Sequence, residues 1–102
     1  MADSLSEFLC LLSPTRASFP SDATEAELQA VAAHFEHLQA MLARGRLILA
    51  GRTQEDASPI GLVIFRAADA TAAKREMADD PAVRAGVFLA SIRPYRVALS
   101  EA

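Results

Sequence analysis

Residues 34–51 read HFEHLQAMLARGRLILAG: a helical pattern runs into Arg44 and Gly45, and an aliphatic run follows at once. Upstream, SDATEAELQAVAA (21–33) extends the helix to a start that Ser21, Asp22 or Thr24 can cap, with Glu25 and Glu27 near the positive end of its dipole. Leu28, Val31, Ala32, Phe35, Leu38 and Leu42 recur at spacings of 3, 4 and 7, which predicts an amphipathic helix with its apolar stripe centred near Phe35 and Leu42. Arg44 falls in the last turn, and Gly45 suits the left-handed residue that stops a helix. RLILAG (46–51) then reads as a strand, so one unbroken stretch holds the helix and second strand of a β-α-β unit.

Working outward, EFLCLLS (7–13) is a short apolar run read as the first strand, ending in SPTRASFPSD, where two prolines mark a loop. GLVIFRA (61–67) is a third strand, joined to the second by the polar hairpin loop RTQEDASPI. DATAAKREMADD (69–80) is a second, shorter helix with Asp69 as N-cap, and DPAVRAG follows as a turn or single helical turn. VFLASIRPYRVAL (87–99) is the last strand, which Pro94 confines to a sheet edge or interrupts. The order β-α-β-β-α-β, with right-handed crossovers, predicts an α+β, ferredoxin-like fold: one four-stranded antiparallel sheet with both helices on one face. The strands are apolar without alternation, in Phe8–Leu12, Leu47–Leu49 and Leu62–Phe65, so both sheet faces call for burial while the helices cover only one. A homodimer packed through the helix-free face is the expected solution.

Size and composition set the remaining bounds. A chain of 102 residues is read as a single domain spanning residues 1–102. It is 52% hydrophobic, with a mean hydropathy of +0.19, more apolar than a lone small domain easily hides. A net charge of −3 argues against nucleic acid as partner. No apolar run approaches the roughly 18 residues of a membrane span, and MADSLSEFLCLLSP lacks the basic start of a signal peptide. Cys10 is the one cysteine, which excludes an intrachain disulfide and fits a cytoplasmic location.

The two histidines, three apart, are not equivalent. By helical phase His34 flanks the apolar stripe, whereas His37 falls nearly opposite it and is expected to be solvated. A metal would need both imidazoles on one target plus a third ligand, and the wedge between them, with no cysteine partner, speaks against it. His34 alone is either a helix-edge residue satisfied by a backbone carbonyl or a working imidazole. Asp80, before Pro81, is either the N-cap of a short helix or a rigidly held carboxylate that orients an imidazole and raises its basicity. Arg52, after Gly51, is a surface residue or an anchor for an anionic substrate. Cys10 reads as a small core residue, while Ser91 and Tyr95 are weaker cavity candidates. There is no glycine-rich phosphate loop and no nucleophile elbow.

ATEAELQAVAAHFEHLQAMLARGRLILAG together with MADDPAVRAGVFLASIRPYRV resembles the YCII-related (YciI-like) family. Its most specific parts are a histidine eleven residues before the helix-ending glycine, the GRL…AG strand, and DP…AG before the final strand. Counting back from Gly45 reaches His34, and the DP aspartate is Asp80. The resemblance implies a ferredoxin-like α+β fold similar to muconolactone isomerase and the dimeric α+β barrels, usually dimeric. It further implies an active site of one His and one Asp, here His34 and Asp80, with no metal or organic cofactor. A few members act on chlorinated hydroxyquinone-type aromatics. Where the family commonly has proline after AG, this chain has Arg52, a candidate substrate-selecting feature. The expected function is a cofactor-free lyase- or isomerase-type enzyme moving a proton on a cyclic or aromatic small molecule; the alternative is a non-catalytic dimeric binding or sensor module.

Overall fold

The first strand explains how the sheet divides its side chains. The computed structural model describes residues 4–101, and within it β1 (Ser6–Pro14) buries Phe8, Cys10 and Leu12 while Leu9 and Leu11 point the other way and stay partly open. The remaining elements follow in the order α1 (Glu25–Ala43), β2 (Leu47–Arg52), β3 (Gly61–Ala67), α2 (Ala70–Ala78), α3 (Pro81–Arg84) and β4 (Phe88–Tyr95). The antiparallel sheet has four strands ordered β2-β3-β1-β4, so both central strands are apolar runs and β4 is an edge, where Pro94 costs no ladder bond to a further strand. The α+β ferredoxin-like arrangement read from the sequence is the one observed.

Every buried residue of the main core lies on one side of that sheet. Phe8, Cys10 and Leu12 share a face with Val63, Phe65 and Ala67, and this face meets Leu38 and Met41 of α1 and Ala73 and Met77 of α2. Phe65, Met41 and Met77 are sealed from solvent, and full burial of side chains this size contributes about 1.5–3 kcal/mol each. The opposite face carries Leu9, Leu11, Leu49, Leu62, Leu89 and Tyr95, of which Leu89 remains 66% exposed.

Three expectations need correction. The apolar stripe of α1 does not face the core along Phe35 and Leu42: these are 60% and 59% exposed, and Leu28 is exposed too. At about 100° per residue, the inward-facing set of partly buried His34 and buried Leu38 and Met41 is centred roughly 90° away from Phe35. The reason lies in α2 and α3, whose ends pack against that flank of α1 and draw it inward. His37 is consequently not solvated; its side chain is only 17% exposed, and Nε2 sits 3.1 Å from Glu76 Oε2 of α2, off the line of a directed hydrogen bond. Finally, β4 stops at Tyr95 rather than continuing to residue 99. Tyr95 pairs with Glu7, close to where β1 begins, so the chain beyond has no strand to pair with, and Val97 N–H donates instead to Glu7 Oε1 at 2.7 Å.

Candidate functional site

The site begins at a helix start. Asp80 takes an extended backbone and caps α3, its Oδ2 accepting the N–H groups of Ala82 (3.0 Å) and Val83 (3.2 Å), with Pro81 preset for the first helical turn. Gly86, at φ +77°, then turns the chain into β4. The cap uses one carboxylate oxygen and leaves the other free. Oδ1 lies 2.6 Å from Nδ1 of His34, forty-six residues away, and Asp80 is wholly buried. With Oδ2 engaged by two N–H donors, Oδ1 is placed to accept Nδ1–H, which assigns the lone pair of the neutral imidazole to Nε2. Asp80 thus caps α3 with one carboxylate oxygen and contacts the His34 imidazole with the other.

His34 makes no hydrogen bond through Nε2 among the described residues, and its ring lines a cavity of about 440 Å³. The walls are almost wholly apolar: Leu12, Val31, Leu38 and Val63 from the core side, Pro14 from the end of β1, Phe19 from the β1–α1 loop, Phe35 at the exposed rim, and Phe88 from β4. Phe88 stands edge-to-face against the imidazole, with ring centroids 5.5 Å apart and planes at 73°. The ionisable side chains lining this cavity are those of His34 and Arg52.

Arg52 reaches the cavity because of a register shift. Leu47 pairs with Phe65, but Leu49 pairs with Ile64, so one extra residue of β2 is absorbed by a bulge. Strict alternation from Leu47 would turn residue 52 to the helix-free face. The bulge reverses the parity, and Arg52 pairs with Gly61, beside Leu12, on the helix-covered side. Its guanidinium makes no hydrogen bond or ion pair among the described residues, and it also borders a smaller, polar groove lined by Ser21, Thr53, Gln54, Glu55 and Asp56.

The other candidates lie elsewhere. Cys10 is buried in the core, and burial pushes its thiol up to about 12, so it is a neutral packing group rather than a nucleophile. Ser91 and Tyr95 are exposed on the helix-free face and do not line the cavity. Among the described residues no three His, Cys, Asp or Glu side chains converge as a metal would require. No helix among them is long and apolar enough to cross a membrane. Sequence reasoning missed Phe19 and Phe88 as cavity walls; an aromatic between serine and proline in a loop, and one opening an edge strand, carry no periodic signal.

Comparison with curated protein sequences finds no significant match. Among solved structures, the chain is similar to 5-chloro-2-hydroxyhydroquinone dehydrochlorinase from Burkholderia phenoliruptrix AC1100, in complex with 2,5-dihydroxybenzoquinone. The TM-score is 0.61 at 19% identity, covering 86% of this chain and 93% of that one. A mutant form of SnoaB, a cofactor-independent oxygenase from Streptomyces nogalater, aligns over 97% of both chains with a TM-score of 0.49 and 12% identity. The first of these likenesses agrees in fold with the layers described above. The family model of the YCII-related domain matches residues 7–96, from β1 through the end of β4, and the chain therefore belongs to the YCII-related domain family.

Proposed function

We propose that this chain is a single-domain, cofactor-free enzyme that moves a proton on a cyclic or aromatic small molecule, in an isomerisation or an elimination. The observation that carries the proposal is the 2.6 Å contact between a buried carboxylate and an imidazole that opens on an otherwise apolar cavity. Nε2 of His34 takes a proton from the substrate, Asp80 holds the tautomer and balances the imidazolium that forms, and Arg52 binds an anionic substituent at the rim. In an isomerisation the proton returns from Nε2 to a different substrate atom. In an elimination the electron pair of the broken C–H or O–H bond shifts into the ring system, and a leaving group such as chloride departs with its own pair. The dehydrochlorinase of similar fold, bound to a dihydroxybenzoquinone, supports hydroxylated quinones as the first compounds to try.

We also propose that the working form is a homodimer packed through the helix-free face. Leu9, Leu11, Leu49, Leu62 and Ile64 form a contiguous apolar patch there, with Leu89 and Tyr95 at the two ends of the β4 edge and Glu7, Arg66 and Arg93 beside it.

Titration with 2,5-dihydroxybenzoquinone, followed by its absorbance, tests the site, and chloride release from a chlorinated hydroxyhydroquinone tests the chemistry. Binding weakened about tenfold by Arg52→Leu, with release abolished by His34→Gln, is the expected result. Binding without release from any compound of the class would favour a sensor or sequestering protein. Binding indifferent to both substitutions would refute the site.

A further inference from the structure

Arg16 sits in the β1–α1 loop, yet it is the most completely partnered charged group among the described residues. Its Nε–H donates to Glu27 Oε2 (2.9 Å) and NH2 to Glu27 Oε1 (2.7 Å), a two-pronged pair across to the first turn of α1. The remaining N–H groups reach Ser18 Oγ (3.0 Å), Asp22 Oδ2 (3.2 Å) and the Asp22 carbonyl (3.2 Å). Five hydrogen bonds thus answer the five N–H groups of a guanidinium. Glu27 is itself held by the capping box with Thr24, so the loop is tied to a fixed point on α1.

What this clamp secures is Phe19. That residue lies inside the tied segment, is 6% exposed, and packs with Ala82 and Val87 beside the Asp80 cap. Its ring stands edge-to-face on Phe88, with centroids 5.9 Å apart and planes at 83°, and Phe88 stands in the same way on His34. The contact with Asp80 pins one atom of the imidazole. Rotation about the Cβ–Cγ bond, broad for a ring of this kind, would carry Nδ1 off Asp80, so the remaining freedom is the small swing that one hydrogen bond tolerates. Phe88 closes that freedom only if Phe88 is itself held.

We infer that Arg16 is a positioning residue, which acts through Phe19 and Phe88 to fix the plane of the His34 ring against the cavity. The inference rests on reading His34 as the proton carrier, and its test reads ring position without requiring turnover. In the unliganded full chain, Arg16→Lys keeps the charge but loses the planar fork. Both ring-proton NMR resonances of His34 should shift and broaden, whereas Arg44→Lys, which disturbs the ion pair with Glu76 on the other flank of α1, should leave them in place. If Arg16→Lys fails to fold, Glu27→Gln loosens the same clamp from the other end and should move the same two resonances. His34 resonances that coincide with wild type in the folded variant, while amides of residues 15–24 shift, would overturn the inference and leave Arg16 as a staple of the loop alone. Loss of the Nδ1–H tautomer in wild type would instead overturn the His34–Asp80 reading, so the two failures are distinct.

Discussion

A thiol in the middle of β1 has only core side chains and backbone around it. Cys10 is fully buried and its ionisation is pushed up to about 12, so the reactive thiolate is absent at ordinary pH. Iodoacetamide at pH 8 should leave the native protein unmodified by mass spectrometry and label it fully in denaturant. His37 carries the opposite lesson. Helical phase alone places it in solvent, where His37→Ala would change stability by no more than roughly 0.5 kcal/mol. Packed between α1 and α2 beside Glu76, it should instead cost about 1 kcal/mol or more, as read from the urea midpoint at pH 7. The sequence reveals Asp80 more readily than His37 because a cap is written in adjacent residues, Asp and Pro. The partner of His37 lies on another helix, and no spacing along α1 announces it.

At the scale of elements, the start of α1 is the most legible feature and the face of α1 the least. Thr24 accepts the N–H of Glu27 and the Glu27 carboxylate accepts the N–H of Thr24, a reciprocal cap visible as Thr-x-x-Glu. Thr24→Ala should cost about 1 kcal/mol, measured by thermal or urea unfolding. Beside Arg16, whose hydrogen bonds dominate, and the backbone of Thr24, the Glu27 carboxyl falls from 4.5 to about 2. Asp22 is lowered by the same guanidinium. A carboxylate depressed in the folded state adds stability that is complete above its unfolded value and disappears as pH falls through the folded one. The contribution from Glu27 should therefore be whole above about pH 4.5 and fade towards pH 2, and Glu27→Gln should flatten that stretch of the stability profile. The rotation of α1 was not legible because its apolar residues span a wide arc, from Leu28 and Phe35 round to Met41, and only the arrival of α2 and α3 selects which half is buried. The bulge in β2 was hidden for a similar reason: LILA is apolar in either register, so nothing local marks the residue that the ladder leaves out.

For the whole molecule, the element order was legible because helix stop, strand and loop signals alternate cleanly along the chain, and β-α-β-β-α-β leaves few ways to form one sheet. The apolar band on the uncovered sheet face should form a dimer interface of about 1,500 Å² or more in total. Sedimentation should show a dimer at micromolar concentration, and Leu11→Lys, placing a charge on the central strand β1 between Leu62 and Ser91, should shift it to monomer. A wild-type monomer would reject the interface. The same topology performs the one encounter that no local pattern dictates, between residues 34 and 80, joined at 2.6 Å across α1 and the cap of α3. Asn caps a helix about as well as Asp, so Asp80→Asn separates the two duties of this residue with little disturbance to the fold. Long-range proton–nitrogen NMR of the His34 ring is the most direct test. The expected wild-type pattern for the neutral ring is Nδ1 protonated and Nε2 bare, with that preference lost or mixed in Asp80→Asn. Identical ring-nitrogen patterns in the two proteins would contradict the pairing, and with it the assignment of His34 as an oriented proton carrier.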